Sequence, residues 1–166
     1  PMIYVTHDQL EALSMSDRIV VLDRGRILQT GTPEAIYRQP VSPTVALQLG
    51  QPSINLIHGT VHAGHWIVDE GSALATATAP EGTRRLLGIR PEDIRISGGQ
   101  VPGTVRVVEN LGAEKILHIL WCGQDFLLKA PPHTNLNLKA GDVLHPMVNA
   151  ERTILWDPTA DPQPLL

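Results

Sequence analysis

The feature that most constrains this chain is a change of periodicity at Gln51-Pro52-Ser53. Before that point strand-like and helix-like segments alternate. After it the helical period disappears, and short apolar runs are separated by Gly, Pro and Asn, the pattern of a small β sandwich or barrel. The chain is therefore expected to be mainly β. Residues 1–50 should form a small α/β unit, residues 51–157 a β domain, and residues 158–166, with three prolines in the tail, a mobile end.

In the first unit, Met2–Val5 has strand composition and leads into a polar corner, Thr6-His7-Asp8. Asp8 with Glu11 makes a capping pair that opens a helix, with Thr6 and Gln9 as the rival frame. Leu10 and Leu13, with Ala12 beside them, give this helix an apolar face. Arg18–Asp23 is a second strand, Asp23-Arg24-Gly25-Arg26 a turn, and Arg26–Gln29 a third strand. Thr32-Pro33-Glu34 starts a short helix, Pro33–Arg38, because Thr can cap, Pro suits the first helical position and Glu meets the dipole. Ser42-Pro43 repeats the device ahead of Thr44–Leu49, which Gly50 stops. A histidine at a strand exit, just before a helix, stands where open α/β sheets bind phosphate. Taken alone, His7 would more simply cap or pack.

Beyond the boundary the expected strands are Ile54–His62, His65–Asp69, Arg85–Arg90, Asp93–Ile96, Gly103–Glu109, Lys115–Trp121, Phe126–Ala130, Val143–Val148 and Thr153–Trp156. Ala73–Pro80 is a strand of uncertain register or a loop. Thr104–Val108 and Lys115–Trp121 both alternate, so each should bury one face.

The run YVTHDQLEALSMSDRIVVLDRGRILQTGTPEAIYRQP, Tyr4–Pro40, closely resembles the end of the nucleotide-binding domain of ABC-transporter ATPases, in the subfamily that imports sugars and related solutes. The resemblance implies that His7 is the switch histidine that touches the γ-phosphate of ATP. It also implies that this is the C-terminal part of a larger protein. A phosphate-cradling G-x-x-x-x-G-K-[ST] loop, a signature loop and an acidic Walker B strand belong upstream of the histidine in that family. ATP and Mg are thus implied for the intact protein. No cofactor and no metal are expected for these 166 residues, which should not hydrolyse ATP alone.

Leu87-Gly88-Ile89-Arg90-Pro91-Glu92-Asp93 and Val107-Val108-Glu109-Asn110-Leu111-Gly112 resemble the marker segments of the TOBE domain, and Ala140-Gly141-Asp142 to Leu155-Trp156-Asp157 fits its last hairpin. This resemblance covers Gln51–Asp157 and implies an OB-like β-barrel that follows the ATPase domain. It implies a subunit homodimer working with membrane-spanning permease subunits, on the cytoplasmic face of the inner membrane, and open to a regulatory protein. One departure is Pro146-Met147-Val148-Asn149-Ala150-Glu151, where the subfamily places a proline before the glutamate.

Two decoys are set aside. Gly59–Trp66 has the glycine spacing of a phosphate loop, but His65 stands where Lys is needed and Trp66 where a hydroxyl is needed. Ser97-Gly98-Gly99-Gln100 copies the core of the ABC signature, yet it follows the histidine and runs into Pro102, which cannot start the required helix. Arg90-Pro91-Glu92-Asp93 is the most pointed group of the second unit. Arg90 could pair with Glu92, Asp93 or Glu109, giving a rigid strand-to-turn corner, or meet a partner's carboxylate as a regulatory corner. His58, His62 and His65, near Asp69 and Glu70, have a spacing that solvated strand histidines explain better than zinc. The stretch around His133 has turn chemistry.

Thirteen basic against seventeen acidic residues give a net charge of −4, and aromatics are few, so no nucleic-acid surface is expected. The lone Cys122 permits no internal disulfide. No apolar run approaches the ~20 residues of a membrane span. No catalytic triad is visible in the spacing of Ser, His and Asp. Two other readings stand beside the importer: a free-standing TOBE module for small oxyanions such as molybdate, and a protein-interaction domain.

Overall fold

The computed structural model describes residues 2–68, 71–130 and 137–159. These fall into two compact units, one formed by residues up to Ser53 and the other by Ile54–Thr159. Asp69, Glu70, His133 and most of the expected tail lie outside the described residues.

The first unit is built on helix α1 (Gln9–Met15), strands β1 (Ile19–Asp23) and β2 (Arg26–Gly31), and helices α2 (Pro33–Arg38) and α3 (Pro43–Leu47). β1 and β2 form an antiparallel hairpin through Arg24-Gly25, both in the left-handed region that two-residue hairpin turns require. Thr32 Oγ1 accepts from Ala35 N at 3.2 Å, and Ser42 Oγ accepts from Val45 N at 3.3 Å. Both Ser/Thr-Pro helix starts are thus capped as expected. Ile19, Val21, Ile36, Val45 and Leu49 are buried together, with Ala12, Leu13, Leu28 and Tyr37 packed against them.

Three expectations fail in this unit. Met2–Val5 is not a strand: it carries no regular structure, and Ile3 is 94% and Val5 88% exposed. Strand composition makes a strand only when a neighbouring strand takes up its backbone N–H and C=O groups. Leu10 is exposed, because the inward face of α1 runs through Gln9, Ala12, Leu13 and Ser16, at helical spacing. The last helix ends at Leu47, with Leu49 buried beyond it.

The second unit is mainly β and OB-like. Its strands are β3 (Asn55–His62), β4 (His65–Val68), β5 (Ala73–Thr76), β6 (Arg84–Ile89), β7 (Ile94–Arg95), β8 (Gly103–Asn110), β9 (Lys115–Trp121), β10 (Gln124–Ala130), β11 (Val143–Leu144), β12 (Met147–Val148) and β13 (Ile154–Trp156). They form a five-stranded sheet in the order β13-β6-β3-β4-β5, a four-stranded sheet β10-β9-β8-β11, and a pair β12-β7. All described pairings are antiparallel. The inner faces enclose one core that includes Ile57, Val61, Leu87, Leu117, Trp121 and Phe126. The rings of Trp121 and Phe126 meet edge to face at 5.2 Å, a favoured aromatic geometry.

Alternation holds along β3, whose burial is strictly in and out, but it breaks along β8. There the register slips between Val105 and Val107, so Arg106 is an extra residue in a bulge. One inserted residue reverses the phase. Val105 points into the core, Val107 is 48% exposed, and Val108 packs inward instead. The expected strand Val143–Val148 is two short strands interrupted at His145-Pro146. The expected strand Asp93–Ile96 is a 3-10 turn, Pro91–Asp93, followed by β7.

Candidate functional site

His7 sits on an exposed corner immediately before α1. The corner is tied on both sides of the histidine. Asp8 is the N-cap: its Oδ1 accepts from Leu10 N at 2.8 Å and from Glu11 N at 3.2 Å. Glu11 does not return the favour to Asp8, as a capping box would. The N–H of Asp8 donates instead to Thr6 Oγ1 at 2.9 Å. Glu11 Oε2 accepts from the Thr6 hydroxyl at 2.9 Å and from the Tyr4 hydroxyl at 3.0 Å. The nearby Glu11 carboxylate raises the pKa of Tyr4 above the ordinary tyrosine value, mainly by accepting the hydroxyl's hydrogen bond. The His7 side chain is exposed, with no hydrogen bond to a described residue. Tyr4 and Glu11 were not singled out together by the sequence, since a contact seven residues apart has no helical or strand period.

The Arg90 corner is largely buried. Arg90 is only 2% exposed and Asp93 7%, whereas Glu92 faces solvent. Asp93 Oδ1 lies 3.2 Å from Arg152 Nη1, and Asn149 N donates to Asp93 O at 2.9 Å. These contacts tie the Pro91–Asp93 turn to the turn Ala150–Arg152 that precedes β13. Glu109, a third candidate partner for Arg90, lies 2.6 Å from His118 Nε2 across the β8–β9 pair. The Arg152 partnership had no local signal, because 59 residues separate it from Asp93.

The histidine cluster does not converge. His62 and His65 are cross-strand neighbours at the β3–β4 turn, but His62 Nδ1 meets Glu81 Oε1 at 2.6 Å and His65 Nδ1 meets Ala63 O at 3.0 Å. Among the described residues no group of three His, Cys, Asp or Glu could hold a metal ion. Both decoys are turns. Gly59–Trp66 is the β3–β4 hairpin. Gly99 is pressed against Pro146, where a Cβ would lie 1.8 Å from the carbonyl oxygen. Such a glycine is held by packing, not by a phosphate. A cleft of about 380 Å³ is lined by His58, Arg84, Pro158 and Thr159. No described helix is long and apolar enough to cross a membrane.

Comparison with known proteins covers both units. The TOBE domain model matches residues 87–156. The sn-glycerol-3-phosphate import ATP-binding protein UgpC 1 of Rhizobium johnstonii is 35% identical over 93% of this chain and 44% of its own length. UgpC of Yersinia pestis bv. Antiqua (strain Antiqua) is 39% identical over 86% of the chain and 42% of its own length. The chain thus spans under half the length of the curated relatives it matches. Among solved structures, the cytoplasmic molybdate-binding protein ModG, with molybdate bound, aligns with a TM-score of 0.52 over 63% of this chain and 96% of its own. At 17% identity that likeness is one of fold. The TOBE match thus falls within the second unit, and the chain is similar along both units to part of the ATP-binding proteins for sn-glycerol-3-phosphate import.

Proposed function

We propose that these residues serve in the ATP-binding subunit of an importer for glycerol phosphate or a related solute. The observation that carries the reading is a similarity that runs through both units, over 93% of the chain, to sn-glycerol-3-phosphate import ATP-binding proteins. In the closed dimer of such subunits, His7 donates a hydrogen bond to the γ-phosphate and helps orient the attacking water. An exposed imidazole on a corner tied at Thr6 and Asp8 suits that task, since a contact that matters most in the transition state must be held in place beforehand. The base that activates water and the loop that cradles the phosphates have no counterpart in this sequence. The 166-residue chain alone is therefore expected neither to bind ATP tightly nor to hydrolyse it. Mg, when bound with ATP, neutralises phosphate charge, and residues outside this sequence would hold it. The TOBE domain braces or regulates the subunit dimer, and the assembly sits on the cytoplasmic face of the membrane through its permease subunits.

The test is uptake. Proteoliposomes containing the full-length subunit and its cognate permease, supplied with the solute-binding protein and ATP, should accumulate labelled sn-glycerol-3-phosphate or a close analogue. ATP hydrolysis that no phosphorylated polyol stimulates would overturn the substrate class. Tight molybdate binding by the 166-residue chain in calorimetry would favour the oxyanion module instead.

A further inference from the structure

We infer that Glu11 is a positioning residue for His7. Its carboxylate gathers the two hydroxyls that precede the corner and so fixes the direction in which the imidazole is presented. This inference rests on the reading of His7 as a γ-phosphate contact.

The geometry separates Glu11 from ordinary helix capping. Asp8 already satisfies the amides of Leu10 and Glu11. Among the described residues Glu11 contributes no side-chain bond to the helix; its two side-chain bonds point backwards, to Tyr4 and Thr6, and both end on Oε2. Thr6 then relays the tie, because the same hydroxyl oxygen that donates to Glu11 accepts the N–H of Asp8. The backbone on either side of His7 is thus held to one carboxylate oxygen through Thr6. Tyr4, lacking a strand to hold it, is anchored there by its hydroxyl. A histidine that must meet a phosphate oxygen at hydrogen-bond distance depends on such restraint, since a misplacement of about 1 Å can cost about a hundredfold in rate.

The rival explanation is that Glu11 acts as a first-turn acid on the helix dipole. The two make opposite demands. A dipole role needs charge, so Gln and Leu should be equally poor replacements. A clasp needs an acceptor, so Gln, whose carbonyl oxygen can still take both hydroxyls, should serve while Leu should not.

The experiment uses the full-length ATP-binding subunit that carries this sequence, with kcat and the KM for ATP measured for Glu11→Gln, Glu11→Leu and His7→Ala. The expected result is that Glu11→Leu lowers kcat about tenfold with KM within about twofold, while Glu11→Gln keeps most of kcat. Tyr4→Phe combined with Thr6→Val should reproduce Glu11→Leu, and supplies the test if Glu11→Leu fails to fold. Amide exchange in the 166-residue chain gives an independent readout: Asp8 N–H should be protected in wild type and Glu11→Gln and released in Glu11→Leu. Equal losses for Gln and Leu, or a Glu11→Leu enzyme with normal kcat beside an impaired His7→Ala, overturn the inference and leave the His7 reading standing. Normal hydrolysis in His7→Ala overturns that reading and Glu11's role with it, even where exchange shows the clasp.

Discussion

The side chain of Asn55 pairs with both backbone groups of Leu127, a residue 72 positions further along the chain. Its Oδ1 accepts from Leu127 N at 2.7 Å, and its Nδ2 donates to Leu127 O at 2.9 Å and to Ile89 O at 3.0 Å. Leu127 lies opposite His118 in the β9–β10 register, and β10 is the edge of its sheet, so the polar groups that Leu127 gives to Asn55 are on the open side of β10. The Asn55 amide fills the place of a missing strand there. It ties the start of β3, in the five-stranded sheet, to the edge of the four-stranded one.

Replacing Asn55 by Ala should therefore cost the Ile54–Thr159 unit about 3 kcal/mol, because the part-buried backbone groups of Leu127 and the buried carbonyl of Ile89 lose their partner. Asp at this position should be nearly as costly, since a carboxylate cannot donate to the two carbonyls and would be buried. Urea unfolding of each variant measures the loss, and a cost below ~0.5 kcal/mol would show that the closure rests elsewhere.

Gly88 is a second fixed point. A Cβ there would lie 2.5 Å from Trp156 Cζ3 and 2.9 Å from Ile54 Cδ1. Gly88→Ala should destabilise the unit by about 1–3 kcal/mol through this overlap. Because Trp156 is the residue in the way, a double-mutant cycle with Trp156→Leu should return part of that loss as favourable coupling. Strict additivity would place the strain somewhere other than the β6–β13 pair.

The first unit leaves much apolar surface in water: Met2, Ile3, Val5, Leu22 and Ile27 are each more than half exposed. Such a surface favours self-association. Deleting residues 1–50 should preserve a cooperative thermal melt of the remainder and reduce aggregation seen by light scattering. A deletion product with no cooperative transition would mean that those fifty residues belong to the core of the β domain.

What the sequence disclosed divides along chain distance. The Thr32-Pro33 and Ser42-Pro43 helix starts were legible because capping is decided within three residues. The hairpin at Ala63-Gly64 was legible because strand-like runs flank a turn residue. Met2–Val5 has strand composition without being a strand, because a strand is a property of its neighbours as well as of its residues. The Arg106 bulge left no trace in an alternating run, and Asn55 and Arg152 gave no hint of partners 72 and 59 residues away. At the candidate site, His7 stood out through its resemblance to a known family. The clasp by Glu11 stayed hidden under an apparent capping box with Asp8, which local spacing suggests equally well.

The most direct test of the account is His7→Ala in the full-length subunit, with nucleotide binding and single-turnover hydrolysis measured side by side. A γ-phosphate contact used chiefly in the transition state predicts that ATP still binds with an affinity within a few-fold of wild type while hydrolysis falls by about a hundredfold or more. Loss of ATP binding with unchanged turnover per bound ATP would contradict it, and would make His7 a structural corner of the chain.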